Sequence, residues 1–347
     1  MGYIRIIEMY GISTIQDLGR FGYQNSGVPV SGAMDKISMR IANRLVGNGD
    51  EEAVLEIALY GGTYSFECDA VIALAGADFN FKLNGKQVPR YQTIFVNRGD
   101  ILSGSSSNWG NYAYLSFRGG LKLEDVLNSK STYMRGSFGG YYGRRLKQGD
   151  LLTLNVETLE FPPLKISTSI IEKLYQKRDI RFNPSHAYSQ MMAKGLETFK
   201  TTEFLISGDS DRMGLRLEGK VPELMSQYDI ISAPVQFGSI QINSSGQPMI
   251  LMADAQTTGG YVLLGTVFEV DLSYLVQLAK GEKLKFMTSN VEESIVALMK
   301  LKLELEDCLK PIFNEKIEIK DSSHLRKRLR IGINGKAYNV SVLERKV

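Results

Sequence analysis

The stretch Thr93-Ile94-Phe95-Val96-Asn97-Arg98-Gly99-Asp100-Ile101-Leu102 decides the fold class. A β-branched and aromatic run leads into a glycine turn, and a second apolar run starts at once. Glycine supplies the positive φ, and the acid beside it can accept from backbone N–H groups as the next strand begins. The same device returns at Gln148-Gly149-Asp150-Leu151-Leu152 and at Lys280-Gly281-Glu282-Lys283-Leu284. Further strand-like runs are Ala70-Val71-Ile72-Ala73-Leu74, Tyr112-Ala113-Tyr114-Leu115-Ser116-Phe117 and Pro248-Met249-Ile250-Leu251-Met252. The 34 glycines fall between such runs. Many short strands with tight turns predict an all-β, sandwich or barrel architecture.

A few helices interrupt the strands. Residues 34–45 place Met34, Ile37, Ile41 and Leu45 on one face, with Gly47-Asn48-Gly49 as the stop and Ser31 or Gly32 as the cap. Residues 271–278 form a short candidate. Residues 291–307 carry Ile295, Leu298, Met299 and Leu303 on one face, with Ser289 or Asn290 as N-cap. Residues 160–183 lose glycine, mix charges and read as a connection between domains. The chain has 347 residues, enough for about two domains. The expected division is 1–160, 161–310 and a polar extension, 311–347. That extension reads as a hairpin around Asn334-Gly335.

Composition narrows the function. Hydrophobic residues make up 43% and charged residues 23%, as in an ordinary globular protein. A net charge of +3 argues for neither nucleic acid nor an anionic membrane. The longest clean apolar run, residues 71–77, is far too short to span a bilayer. The first strand starts at Tyr3 with no signal-peptide plan, and Ile6 stands where a myristoylation motif wants Ser or Thr. A cytoplasmic location is the expectation. Two cysteines, Cys68 and Cys308, and two histidines, His186 and His324, give no disulfide scaffold and no metal cluster. No nucleophile elbow, P-loop or dinucleotide fingerprint occurs.

Three polar blocks remain. The first runs Thr14-Ile15-Gln16-Asp17-Leu18-Gly19-Arg20 and on through Gly27-Val28-Pro29-Val30-Ser31-Gly32-Ala33-Met34-Asp35. Its glycines bring backbone N–H groups close to a ligand, while Asp17 and Arg20 can equally pair with each other. The second is Ser207-Gly208-Asp209-Ser210-Asp211-Arg212-Met213-Gly214-Leu215-Arg216. Arg212 and Arg216 can both face one anion, or pair internally with Asp209 and Asp211. The third joins Gln241 to the strand end Asp254-Ala255-Gln256-Thr257-Thr258-Gly259-Gly260-Tyr261. A carboxylate, an amide and two hydroxyls at a strand end suit a small polar amide, with Asp254 as a candidate general base.

Together these blocks resemble the biotin-dependent carboxyltransferase family. That family holds the C subunit of 5-oxoprolinase, the protein called allophanate hydrolase subunit 2, the antagonist KipA of a sporulation-kinase inhibitor, and the carboxyltransferase region of urea carboxylase. Beside the blocks themselves, Ala42-Asn43, Val46-Gly47-Asn48, Leu55-Glu56, Gly143-Arg144 and Gly149-Asp150 carry the likeness. The family pattern Asp-Arg-Gln-Thr-Thr-Gly-Gly-Tyr-Pro is departed from at Ala255 and Val262. The resemblance implies two cyclophilin-like β-barrel domains. It implies work in a complex with homologues of the family's B and A subunits, opening the lactam 5-oxoproline to glutamate with ATP. The alternative is carboxyl transfer from carboxybiotin, borne on a separate carrier, to a urea-like amide. A third reading is a non-catalytic antagonist of a kinase inhibitor. Asp254, Gln256 and Thr257 are the expected catalytic set. Arg212 and Arg216 would hold the anionic donor, and Gln16, Asp17 and Arg20 the opposing wall. Gln241, Thr258, Gly259, Gly260 and Tyr261 would complete the substrate contacts. No metal is expected, and self-association into a homo-oligomer is left open.

Overall fold

The computed structural model describes residues 2–155, 159–189, 193–219, 232–307, 309–311, 325–333 and 336–343. Cys308, His324 and the Asn334-Gly335 turn lie outside them. Met1–Pro311 form one compact unit and Ile312–Val347 another. In the latter, strands Leu325–Ile333 and Lys336–Leu343 pair antiparallel, with Ile333 opposite Lys336.

The larger unit holds two sets of strands. In the first, Gly2–Glu8 lies between Leu151–Leu154 and Thr63–Phe66 in a six-stranded sheet. A five-stranded sheet runs in the order Ile12–Gln16, Val54–Ala58, Trp109–Phe117, Ala70–Asp78, Thr93–Val96. Period-two alternation sends Ile4, Ile6, Leu55, Ile57, Ile72, Leu74, Leu115 and Phe117 into one core between the sheets. The opposite face of the five-stranded sheet, with Val54, Val71, Ala73 and Tyr114, packs on Ile37, Ile41 and Leu45 of the helix Lys36–Leu45. Burial on both faces explains why residues 70–77 read as an unbroken apolar run.

The second set is an eight-stranded sheet drawn from residues 180–288. Its two edge strands, Lys283–Leu284 and Phe286–Thr288, are separated by one residue, so the chain itself joins the sheet's ends into a barrel-like form. Its core gathers Phe182, Phe199, Phe204 and Phe286, with the rings of Phe199 and Phe286 stacked at 4.9 Å. The mainly-β architecture is therefore the expected one.

The three glycine turns form as their chemistry predicts. Gly99, Gly149 and Gly281 have φ of 93°, 88° and 81°. Asp100, Asp150 and Glu282 each accept from the N–H three residues earlier, at 2.8, 2.9 and 2.5 Å. Two local readings change. The helix cap is Asp35, whose Oδ1 accepts from Ser38 N at 3.0 Å, because Ser31 and Gly32 sit in left-handed conformations outside it. Residues 160–183 are not a bare connection. They hold the strand Leu164–Ile166 and the helix Thr168–Tyr175 and enter the strand Ile180–Pro184. Asn290 caps the helix Val291–Asp307 by accepting from Glu293 N at 2.8 Å. No helix among the described residues is long and apolar enough to cross a membrane.

Candidate functional site

The first polar block folds on itself. Arg20 N donates to Val30 O at 2.7 Å and Ala33 N to Asp17 O at 2.9 Å, so the loop closes just before the helix. Gly32 (φ 88°) lies against Gly19, where an added Cβ would come within 2.9 Å of the Gly19 nitrogen. Asp17 accepts from Gly19 N, Ser129 Oγ, Lys130 N and Ser131 Oγ. Arg20 donates to the carbonyls of Val126 and Ser131, and its guanidinium lies 4.8 Å from the Phe138 ring. Burial lowers the Arg20 pKa, with the Asp17 and Asp254 carboxylates opposing. Gln16, also buried, donates to Thr14 Oγ1 and Thr132 O. Asp17 and Arg20 thus each clasp the 126–138 loop rather than one another.

Arg212 is the hub. Its Nε and Nη2 meet Asp254 Oδ2 and Oδ1 at 2.8 and 3.1 Å, Nη1 meets Glu56 Oε1, and Nη2 also donates to Gly32 O at 2.7 Å. Burial by itself would lower the Arg212 pKa, but the Asp254 and Glu56 carboxylates outweigh it and the net shift is upward. Glu56 is pushed up by burial, with Arg212 opposing. Its Oε2 accepts from Met34 N and Tyr114 Oη, both at 2.8 Å. Tyr114 Oη in turn accepts from Asp35 N, and Asp35 Oδ2 accepts from Tyr175 Oη and Gln277 Nε2. Gln277 closes the chain by accepting from Asn111 N and Tyr112 N. One buried polar network therefore sews the five-stranded sheet to the eight-stranded one.

Beside this network opens a cavity of about 590 Å³. Gln256 and Thr257 line it from the strand end, with Ala255 between them and Asp254. Ser31 lines it from the first block, Lys36 from the start of the helix that follows, and Asn183, Gln236 and Phe237 from the second sheet's side. Ser31 Oγ and Asn183 Oδ1 are buried and have no hydrogen-bond partner. Ser31 holds φ 56°, a strained conformation for a residue with a Cβ. Arg212 grips the carbonyl of the next residue, Gly32, and so fixes where Ser31 points. Asp254 faces a separate cavity of about 200 Å³, shared with Thr14, Glu56, Tyr112 and Arg212.

The expected residues are therefore only partly together. Arg212 and Asp254 pair with each other, and neither Asp209 nor Asp211 takes Arg212. Arg216 is exposed on the strand Gly214–Glu218, away from Arg212's contacts. Gln241 is buried with both amide atoms unpartnered, its Nε2 2.2 Å from where a Cβ on Gly259 would stand. Thr258 and Gly259 pair with Ala233–Pro234, and Thr258, Gly260 and Tyr261 are exposed. Four residues were missed as site residues: Lys36, Glu56, Asn183 and Gln277. Glu56 carried a signal, a lone carboxylate inside the apolar run Val54-Leu55-Glu56-Ile57. The other three carried none. Among the described residues no group of acidic, histidine or cysteine side chains is placed to hold a metal ion.

Comparison with known proteins places this mainly-β chain in the carboxyltransferase class. A family model described as carboxyltransferase domain, subdomain A and B, matches residues 26–288, and the chain belongs to that family. It is similar to the C subunit of 5-oxoprolinase from Haemophilus influenzae, at 37% identity over 90% of this chain and 99% of that protein. The same-named protein of Escherichia coli is 32% identical over 85% of this chain and 94% of its own length. Among solved structures, urea amidolyase of K. lactis superposes with a TM-score of 0.82 at 29% identity, over 88% of this chain but only 20% of that one.

Proposed function

We propose that the chain is the C-type component of a 5-oxoprolinase, working in the cytoplasm with homologues of that enzyme's A and B subunits. We take the 590 Å³ cavity to be its amide site, at the seam of barrels formed by residues 1–160 and 161–310. The observation that carries this reading is the cavity wall. Gln256, Thr257, Asn183 and Gln236 line it together, so side-chain amides and a hydroxyl share one wall. A planar amide, with one acceptor and one N–H donor, matches such a wall.

Opening a lactam adds water across its C–N bond. In this chain Gln256 and Thr257 orient the amide, with Asn183 beside them on the wall. Asp254 and Glu56 act through Arg212 as positioning residues, holding the strand end and the Gly32 carbonyl in register. Among the described residues the cavity wall carries one ammonium, Lys36, and one carboxylate, Glu269, a poor match for a triphosphate, so we assign ATP use to the assembled complex.

The likeness to urea amidolyase favours a second reading, carboxyl transfer to a urea-like amide. The ureido ring of biotin has the same amide chemistry and fits the same wall, with Gln256, Thr257 and Asn183 to hold it. When bound, carboxybiotin would supply an activated carboxyl group.

The test is ATP turnover by the chain co-purified with its A- and B-type partner homologues. Stimulation of ADP release by 5-oxoproline, with glutamate formed, is the expected result. Gln256→Ala should lower kcat/KM about 10- to 100-fold through lost orientation. An intact complex that ignores 5-oxoproline but carboxylates urea would overturn the first reading in favour of the second.

A further inference from the structure

Lys36 is unused by the reading above. It opens the helix Lys36–Leu45, where the helix dipole disfavours a cation. Its ammonium lies 5.6 Å from the Phe21 ring centroid and 5.5 Å from that of Phe237. Both rings line the 590 Å³ cavity, as Lys36 does. Among the described residues Lys36 forms no ion pair. Glu269, the other charged residue on the wall, is 3.8 Å from Arg40. Burial pushes the Lys36 pKa down, and Glu269 opposes the shift. A desolvated ammonium with rings for neighbours and no carboxylate in contact is costly to keep unless a ligand supplies the anion.

We propose that Lys36 is the charge-selecting residue of the cavity. Its ammonium takes a carboxylate carried by the amide substrate, so the site prefers anionic amides to neutral, urea-like ones. This rests on the cavity being the amide site. The three groups on the wall then divide the ligand. Lys36 Nζ takes the carboxylate, and Gln256 and Thr257 hold the amide.

The experiment is calorimetric binding to the complex with the A- and B-type partner homologues. The probes are 5-oxoproline and 2-pyrrolidone, the same lactam without the carboxylate. The wild type should bind the anionic lactam at least about 10-fold more tightly. Lys36→Met, or Lys36→Gln as a second neutral variant, should lose about 10- to 100-fold for 5-oxoproline and leave 2-pyrrolidone unchanged. Lys36→Arg should restore most of the preference. In turnover the neutral variants should raise KM with little change in kcat. If Lys36→Met keeps the preference while Gln256→Ala weakens both lactams, Lys36 has no such role and the amide site stands. If the wild type binds neither lactam, or Gln256→Ala changes neither, the amide-site reading falls and takes this one with it.

Discussion

Arg212 illustrates how much one side chain can hold. It has 10% of its side chain exposed, against 2% for Glu56 and 8% for Asp254, so all three charges are largely withdrawn from solvent. Two carboxylates and one guanidinium are tolerable there because every charged oxygen has a donor. Removing the cation alone leaves two buried anions, and such a break costs about 3–5 kcal/mol. Arg212→Met should therefore lower the thermal midpoint sharply. Glu56→Gln added to it should recover part of the loss, and a double-mutant cycle read by chemical denaturation measures the coupling. The carboxylate Asp254 was legible in the sequence as a chemical group. The pairing was not, since Arg212 stands 42 residues from Asp254 and 156 from Glu56 and no local pattern joins them.

Elements were more legible than contacts, because turns and alternation are local. The Gly-acid turns at Gly99, Gly149 and Gly281 form with the hydrogen bonds their residue types predict. The strand Ala70–Asp78 hides one feature that its apolar run does not betray. Gly76 has φ 84°, and a Cβ there would stand 2.4 Å from Tyr112 O. The same place carries a register shift against the strand Trp109–Phe117. The glycine lets the strand bulge and bring Tyr112 and Tyr114 to the network. Gly76→Ala should cost about 3 kcal/mol or more, since both the dihedral and the carbonyl oppose it, whereas Gly99→Ala meets open space and should cost less. Urea unfolding of the two variants makes the comparison.

At the scale of the molecule, the two sheet systems of the larger unit are bound by shared cores as well as by polar bonds. Met34, from the loop before the first helix, sits in the core of the eight-stranded sheet. Phe268 and Val270, from beyond that sheet, sit with the helix Lys36–Leu45. Tyrosines crowd this seam and the first core. Burial raises the pKa of Tyr64, and burial with the Glu56 carboxylate raises Tyr112 and Tyr114. Burial and then Asp35 raise Tyr175. Their folded values exceed the unfolded value of about 10. The stability they contribute is therefore whole below about pH 10 and is lost as pH rises beyond it. Each should forfeit up to about 1.4 kcal/mol per pH unit, so unfolding above pH 10 should be steep and coincide with tyrosinate absorbance. A gradual appearance of tyrosinate in a still-folded chain would contradict this.

What the sequence by itself determined is what short range decides. Strand periodicity, glycine-acid turns, the Asn290 cap and the linear motifs each depend on residues within a few positions of one another. They were enough for a mainly-β fold and for the carboxyltransferase family. Tertiary structure alone decided that Asp254 is spent on Arg212, that Gln256 and Thr257 face a different cavity, and that Lys36 meets Phe21 and Phe237 there. Arg212 meets Asp254 because strands far apart in the chain pair, Lys36 meets Phe237 because one sheet system packs on the other, and burial sets their charges. Neither the pairing nor the burial is written in any stretch of chain short enough to read alone.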